Sequence, residues 1–246
     1  MKSRRLLISL IILFSLPVIA YGGPFDLVKN KIDFLKNKID GGKDVQKVDM
    51  NVLTARSGAL MLKVALANIA FGEAVVEIQK AVGNAAEAEK LKEVIEAVKA
   101  EKKDPEKIKT CAATINNAVE SLNKTDLKSQ VNLADARICI GKSLLKFGSG
   151  ILVDTTAIDE ARKLLGESTD ALKAVQASPV QYGPSALANV QGVIAASKFV
   201  VETIPTQVKS CQEFNGKLIE YAKTNQLPIP SADDVTKYAN NEMEKG

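Results

Sequence analysis

Residues 51–82 read NVLTARSGALMLKVALANIAFGEAVVEIQKAV. Ala and aliphatic residues dominate, punctuated by Lys63, Asn68, Glu73, Glu77 and Gln79, and Gly83-Asn84 follows as a stop. Ala is the best helix former and a poor strand former. The stretch therefore predicts a long central core helix with a narrow polar stripe. The same length and apolarity allow a helix over 58–82 that inserts into a membrane, which would make the chain an α-helical membrane-perturbing protein. Against that reading, Lys63 and Glu73 are costly in lipid.

Outward from this segment the pattern stays helical. A charged helix is expected over 85–102, closed by Lys103-Asp104-Pro105, and Pro105 can open the next one, which ends near Asn123. Further helices are expected over 128–153 and 159–176. After the break at Ser178-Pro179 and Gly183-Pro184, a long helix reaches about Asn225, kinked or split near Pro205. An extended Leu227-Pro228-Ile229-Pro230 precedes a short polar helix over 232–244. No strand-period segment stands out. The fold class expected is all-α, a multi-helix bundle of about six to eight helices. Residues 50–226 would form the bundle and 227–246 a tail with a short helix.

An internal duplication is one reading of two echoes. Pro105, Ile108, Lys109, Thr110 and Cys111 are matched by Pro205, Val208, Lys209, Ser210 and Cys211, and Leu133-Ala134 with Ser143 by Leu187-Ala188 with Ser197. Lys- and Ala-rich helical sequence aligns readily by chance, so the echoes do not decide it.

The N-terminus speaks to the compartment. Lys2, Arg4 and Arg5 precede an apolar run from Leu6 to Ala20, followed by Tyr21-Gly22-Gly23-Pro24, the three-part layout of a secretory signal peptide. Residues 1–22 are read as that signal, with cleavage after Ala20 or Gly22, and the product as periplasmic or secreted. Those three cations account for three of the four net positive charges, leaving +1. A near-neutral chain with 4% aromatic residues and no Trp offers neither the electrostatic footprint nor the stacking platforms of nucleic-acid binding.

Residues 23–49 read as an amphipathic arm and linker. Lys29-Asn30-Lys31-Ile32-Asp33 recurs as Lys36-Asn37-Lys38-Ile39-Asp40, and Val28, Ile32, Leu35 and Ile39 fall on one stripe. Such a stripe can dock on a partner chain, on an anionic membrane surface, or on its own bundle.

The residue inventory narrows the chemistry. There is no histidine, which removes His-based nucleophilic triads, histidine metal sites and haem attachment by C-x-x-C-H. No phosphate loop or dinucleotide fingerprint is present. Glu73 and Glu77, one turn apart, could pair for acid/base work or a cation, but read better as a solvated stripe. The expectation is a chain that is not an enzyme and has no cofactor.

Three cysteines remain in a disulfide-permitting compartment. If the helices around Cys111 and Cys139 pair antiparallel about a turn at 124–127, the two lie level, making Cys111–Cys139 the preferred bridge. Three reduced, buried thiols are the alternative.

Three functions fit this inventory. The first is a noncatalytic interaction or scaffold module of the cell envelope, with an unknown protein partner and unknown oligomeric state. The second is a carrier or sensor of a small apolar molecule or lipid, with Phe71, Phe147 and Phe199 as cavity walls. The third is the membrane-perturbing protein already described.

Overall fold

The computed structural model describes residues 49–245 apart from 128–130 and 132. The signal segment, the arm and the stripe of Val28, Ile32, Leu35 and Ile39 lie outside the described residues. Seven helices and no strand occur among those described: α1 Met50–Ala81, α2 Ala85–Ala100, α3 Pro105–Asn123, α4 Leu133–Ala177, α5 Pro179–Tyr182, α6 Ala186–Thr224 and α7 Ala232–Lys245. The protein is an all-α bundle.

The helix starts follow from capping chemistry. The Asp49 carboxylate accepts from the backbone N–H groups of Asn51 and Val52, and Asp104 does the same for Glu106 and Lys107 with Pro105 at the first helical position. Each satisfies donors that a helix N-terminus leaves orphaned. Ser231 and Asp234 cap α7 reciprocally, the Ser231 N–H donating to Asp234 Oδ2 at 3.0 Å and the Asp234 N–H to Ser231 Oγ at 3.2 Å. At the end of α1, Gly83 takes φ +83°, and the Asn84 N–H reaches back to the Gln79 carbonyl at 2.8 Å. That left-handed residue reverses the chain into α2 without a Cβ penalty.

Two expected boundaries differ. The helices expected over 128–153 and 159–176 are one helix of 45 residues, α4. Residues 154–158, Asp-Thr-Thr-Ala-Ile, contain no Gly or Pro. Thr155 and Thr156 each hydrogen-bond the carbonyl four residues back, at 2.7 and 3.1 Å, and so join the helix rather than ending it. Likewise α6 continues through Pro205 as a single element, so the helix is not split there.

The core lies where α1, α4 and α6 meet. α4 packs most extensively on α6 and α1, while α2 and α3 cover α1, α3 also packs on α6, and α7 lies on α4. α1 is buried along most of its length, including Val64, Ala65, Phe71, Ala74 and Ile78. A Cβ on Gly72 would lie 2.7 Å from Ile95, so the bare glycine lets α2 seat against α1. Ion pairs from Arg56 to Glu167 and from Lys63 to Glu160 fix the antiparallel register of α1 and α4.

Candidate functional site

The aromatic residues expected to wall a cavity are only partly brought together. Phe71 on α1 and Phe147 on α4 have ring centroids 6.1 Å apart, and Phe214 on α6 sits 5.7 Å from Phe147 at 70°, edge to face. All three are fully buried. A Cβ on Gly150 would lie 2.6 Å from the Phe71 ring, so protein fills this space. Phe199 is also buried but is not part of this ring stack; Lys109 Nζ lies 5.8 Å from its ring centroid. Phe214 was missed in the sequence, although Val200, Ile204, Gln207, Cys211, Phe214 and Leu218 mark out the buried stripe of α6 by their spacing.

Beside the rings is an interior polar layer that composition did not announce. Asn68 is one turn from Phe71 on α1, Asp154 two turns from Phe147 on α4, and Gln207 and Cys211 lie on the Phe214 stripe of α6. All four are buried. Gln207 Nε2 donates to Asn68 Oδ1 at 2.6 Å, and Asn68 Nδ2 donates to the Ile108 carbonyl of α3 at 3.4 Å. Both carboxyl oxygens of Asp154 and Oε1 of Gln207 have no hydrogen-bond partner among the described residues. Burial holds the Asp154 carboxyl well above the usual carboxylate range. Burial, and then the neighbouring Asp154, push the Cys211 thiol up, and burial pushes Cys111 up to about 12.

No disulfide joins Cys111 to Cys139, which corrects the expected bridge. The premise fails physically: α3 packs on α1, α6 and α2, and α3 with α4 is not among the extensively packed pairs. Cys111 is buried in the core, whereas Cys139 is half-buried on α4 with its Sγ 4.0 Å from Glu77 Oε2. The two copies of the cysteine-bearing echo share burial of Ile108 with Val208 and of Cys111 with Cys211. They differ at the proline, which opens α3 but lies inside α6.

Glu73 and Glu77 line a surface cleft of about 250 Å³ with Lys80, Lys92, Lys99 and Lys146. Glu73 pairs with Lys99 of α2 and Lys146 of α4, each at 2.9 Å. Burial raises its pKa, but hydrogen bonds from the two lysines outweigh burial and leave it below 4.5. Tyr238 of α7 is pushed up to about 12 by burial and by the charges of Glu242 and Glu73. Glu73 is thus an ion-pair hub joining α1, α2 and α4. A second cleft, about 630 Å³, opens between α3 and α6 and is lined by Glu120, Asn123, Lys124, Ser210, Glu213 and Lys217. Among the described residues no cluster of three or more Cys, Asp or Glu is arranged to hold a metal ion.

α1 is long and apolar enough to cross a membrane, but 78% of its most apolar window is buried against the other helices. No protein-family profile, curated protein or solved structure matches the chain.

Proposed function

We propose that the chain is a noncatalytic, exported helical-bundle protein that acts as an interaction or scaffold module of the cell envelope, working through its outer surface. The observation that carries this reading is the state of the interior. Where the carrier reading needs an apolar space, the rings of Phe71, Phe147 and Phe214 occupy one another's faces, and Gly150 has no room for a methyl group against Phe71. A molecule held there would have to displace packed side chains, which costs dispersion contacts on every side. The two clefts described above are lined mainly by charged and polar groups, the lining of a protein-facing surface rather than of a lipid pocket.

The test is native mass spectrometry of the protein purified gently from its own envelope fraction. The expected species begins at Tyr21 or Gly23, carries three reduced cysteines and no lipid, and is recovered with a protein partner at low ionic strength. A stoichiometric adduct of lipid mass would overturn the surface-acting reading, and retention of residues 1–22 would overturn export.

A further inference from the structure

We propose that Asp154 is a buried proton-binding site: the bundle closes with this carboxyl protonated, and loss of the proton loosens the seam between α4 and α6 and exposes Cys211. The geometry starts with burial. Asp154 is 0% exposed, and neither of its oxygens accepts a hydrogen bond. Its place on the seam follows from the Phe147–Phe214 contact on one side and the electrostatic contact with Cys211 on the other.

Among the described residues no element packed on α4 supplies a compensating cation. From α6 the titratable group facing Asp154 is the Cys211 thiol, a potential anion. At this level α1 presents the neutral Asn68, while its Lys63 is turned to Glu160, six residues further along α4. On α7, Tyr238 is influenced by Glu242, Glu73 and Lys99, and Asp234 by Ser231 and Lys237. α5 is the single turn Pro-Val-Gln-Tyr, and its only titratable side chain is Tyr182. Burial acts on the Asp154 carboxyl to keep the proton on.

The hydrogen bonds of the layer also bypass Asp154. Asp154 offers two unpartnered acceptors and Gln207 a third, while Gln207 Nε2 and Asn68 Nδ2 are turned to Asn68 Oδ1 and the Ile108 carbonyl. An uncompensated carboxylate in such a place is among the costliest things a core can contain, so the group neutralises instead. One proton both removes the charge and converts an acceptor into a donor.

The sign follows from linkage. The unfolded carboxyl releases its proton near 3.8 and the folded one well above it. Below 3.8 both states are protonated and the site is neutral toward stability. Above it only the unfolded state gains by ionising, so each pH unit lowers the folded-to-unfolded ratio about tenfold, until the folded carboxyl ionises in turn.

The experiment compares the full chain with Asp154→Asn by urea unfolding between about pH 4 and about pH 9, with mass-mapped labelling by an uncharged disulfide reagent. The wild-type is expected to lose about tenfold per pH unit relative to the Asn variant. Its Cys211 is expected to label progressively faster with pH than Cys111, which corrects for thiolate chemistry, and the Asn variant is expected to suppress that excess. Parallel pH profiles for the two proteins would overturn the proposal. A measurement on the wild-type alone covers a variant that fails to fold: the infrared spectrum of the folded protein at neutral pH should contain a protonated-carboxyl C=O band that unfolding removes, and its absence would equally overturn the proposal.

Discussion

Gln207 on α6 donates its side-chain N–H to Asn68 Oδ1 on α1 at 2.6 Å, joining two helices across 139 positions of sequence. Asn68 in turn donates to the Ile108 carbonyl, so it is the relay between α6 and α3. Replacing it with Ala orphans a buried amide and should cost about 2 kcal/mol. The double replacement Asn68→Leu with Gln207→Leu should recover part of that loss, because both polar groups leave together. A double-mutant cycle from urea unfolding reads the coupling directly.

At the ion-pair hub, Glu73→Gln should destabilise by about 1 kcal/mol, held to that size by the partial exposure of its lysine partners. Because the folded carboxyl lies below 4.5, its contribution is fully present above that value and is lost as acid is added through the folded value. The difference between wild-type and variant should therefore shrink toward strong acid, and also with added salt. Thermal unfolding at several pH values and ionic strengths tests both trends.

Two glycine replacements should have opposite signs. In Gly150→Ala the new methyl meets the Phe71 ring at 2.6 Å in a filled core, and the cost should be about 1–3 kcal/mol. In Gly192→Ala the methyl meets nothing within 4 Å on the exposed face of α6, and helix propensity should stabilise by about 0.5–1 kcal/mol. Denaturant midpoints measured side by side decide it, and equal effects would contradict the packing described.

The three thiols should react in sequence. Cys139 is half-buried beside Glu77, whereas Cys111 and Cys211 are buried and their thiols are pushed up in pKa. Near neutral pH, intact-mass spectra after alkylation should show one rapid adduct on the folded protein, mapped to Cys139, and three after unfolding.

Much of the architecture was legible because helix punctuation is local. Asp104-Pro105 and Gly83-Asn84 mark ends that need no tertiary information, and the helices expected over 85–102, 105–123 and 232–244 lie close to α2, α3 and α7. The polar stripe of 51–82 split in a way only packing could decide. Asn68 and Gln79 are buried, while Glu73 reaches the surface and finds two lysines from other helices. The site was harder. Asp154 fell in the gap between the helices expected over 128–153 and 159–176, and only the buried positions Phe147, Asp154, Ala157, Ala161 and Leu164 mark it as interior. The disulfide failed because it assumed that neighbours in sequence pair in space, whereas α3 packs across α1 and α6.

The pairings that fix α1 have a further consequence, concerning the order of events rather than the finished bundle. Lys63 awaits Glu160, Arg56 awaits Glu167 and Asn68 awaits Gln207, partners 97, 111 and 139 residues later. A chain emerging from its N-terminus must therefore carry its most water-averse helix without its main cover until most of the sequence has appeared. Closure over such distances is slow, and exposed apolar helices aggregate while they wait. The interval between the synthesis of α1 and that of Gln207 is therefore the stage at which its apolar face stands open, and it is there, rather than in the closed bundle, that the chain is most exposed to aggregation.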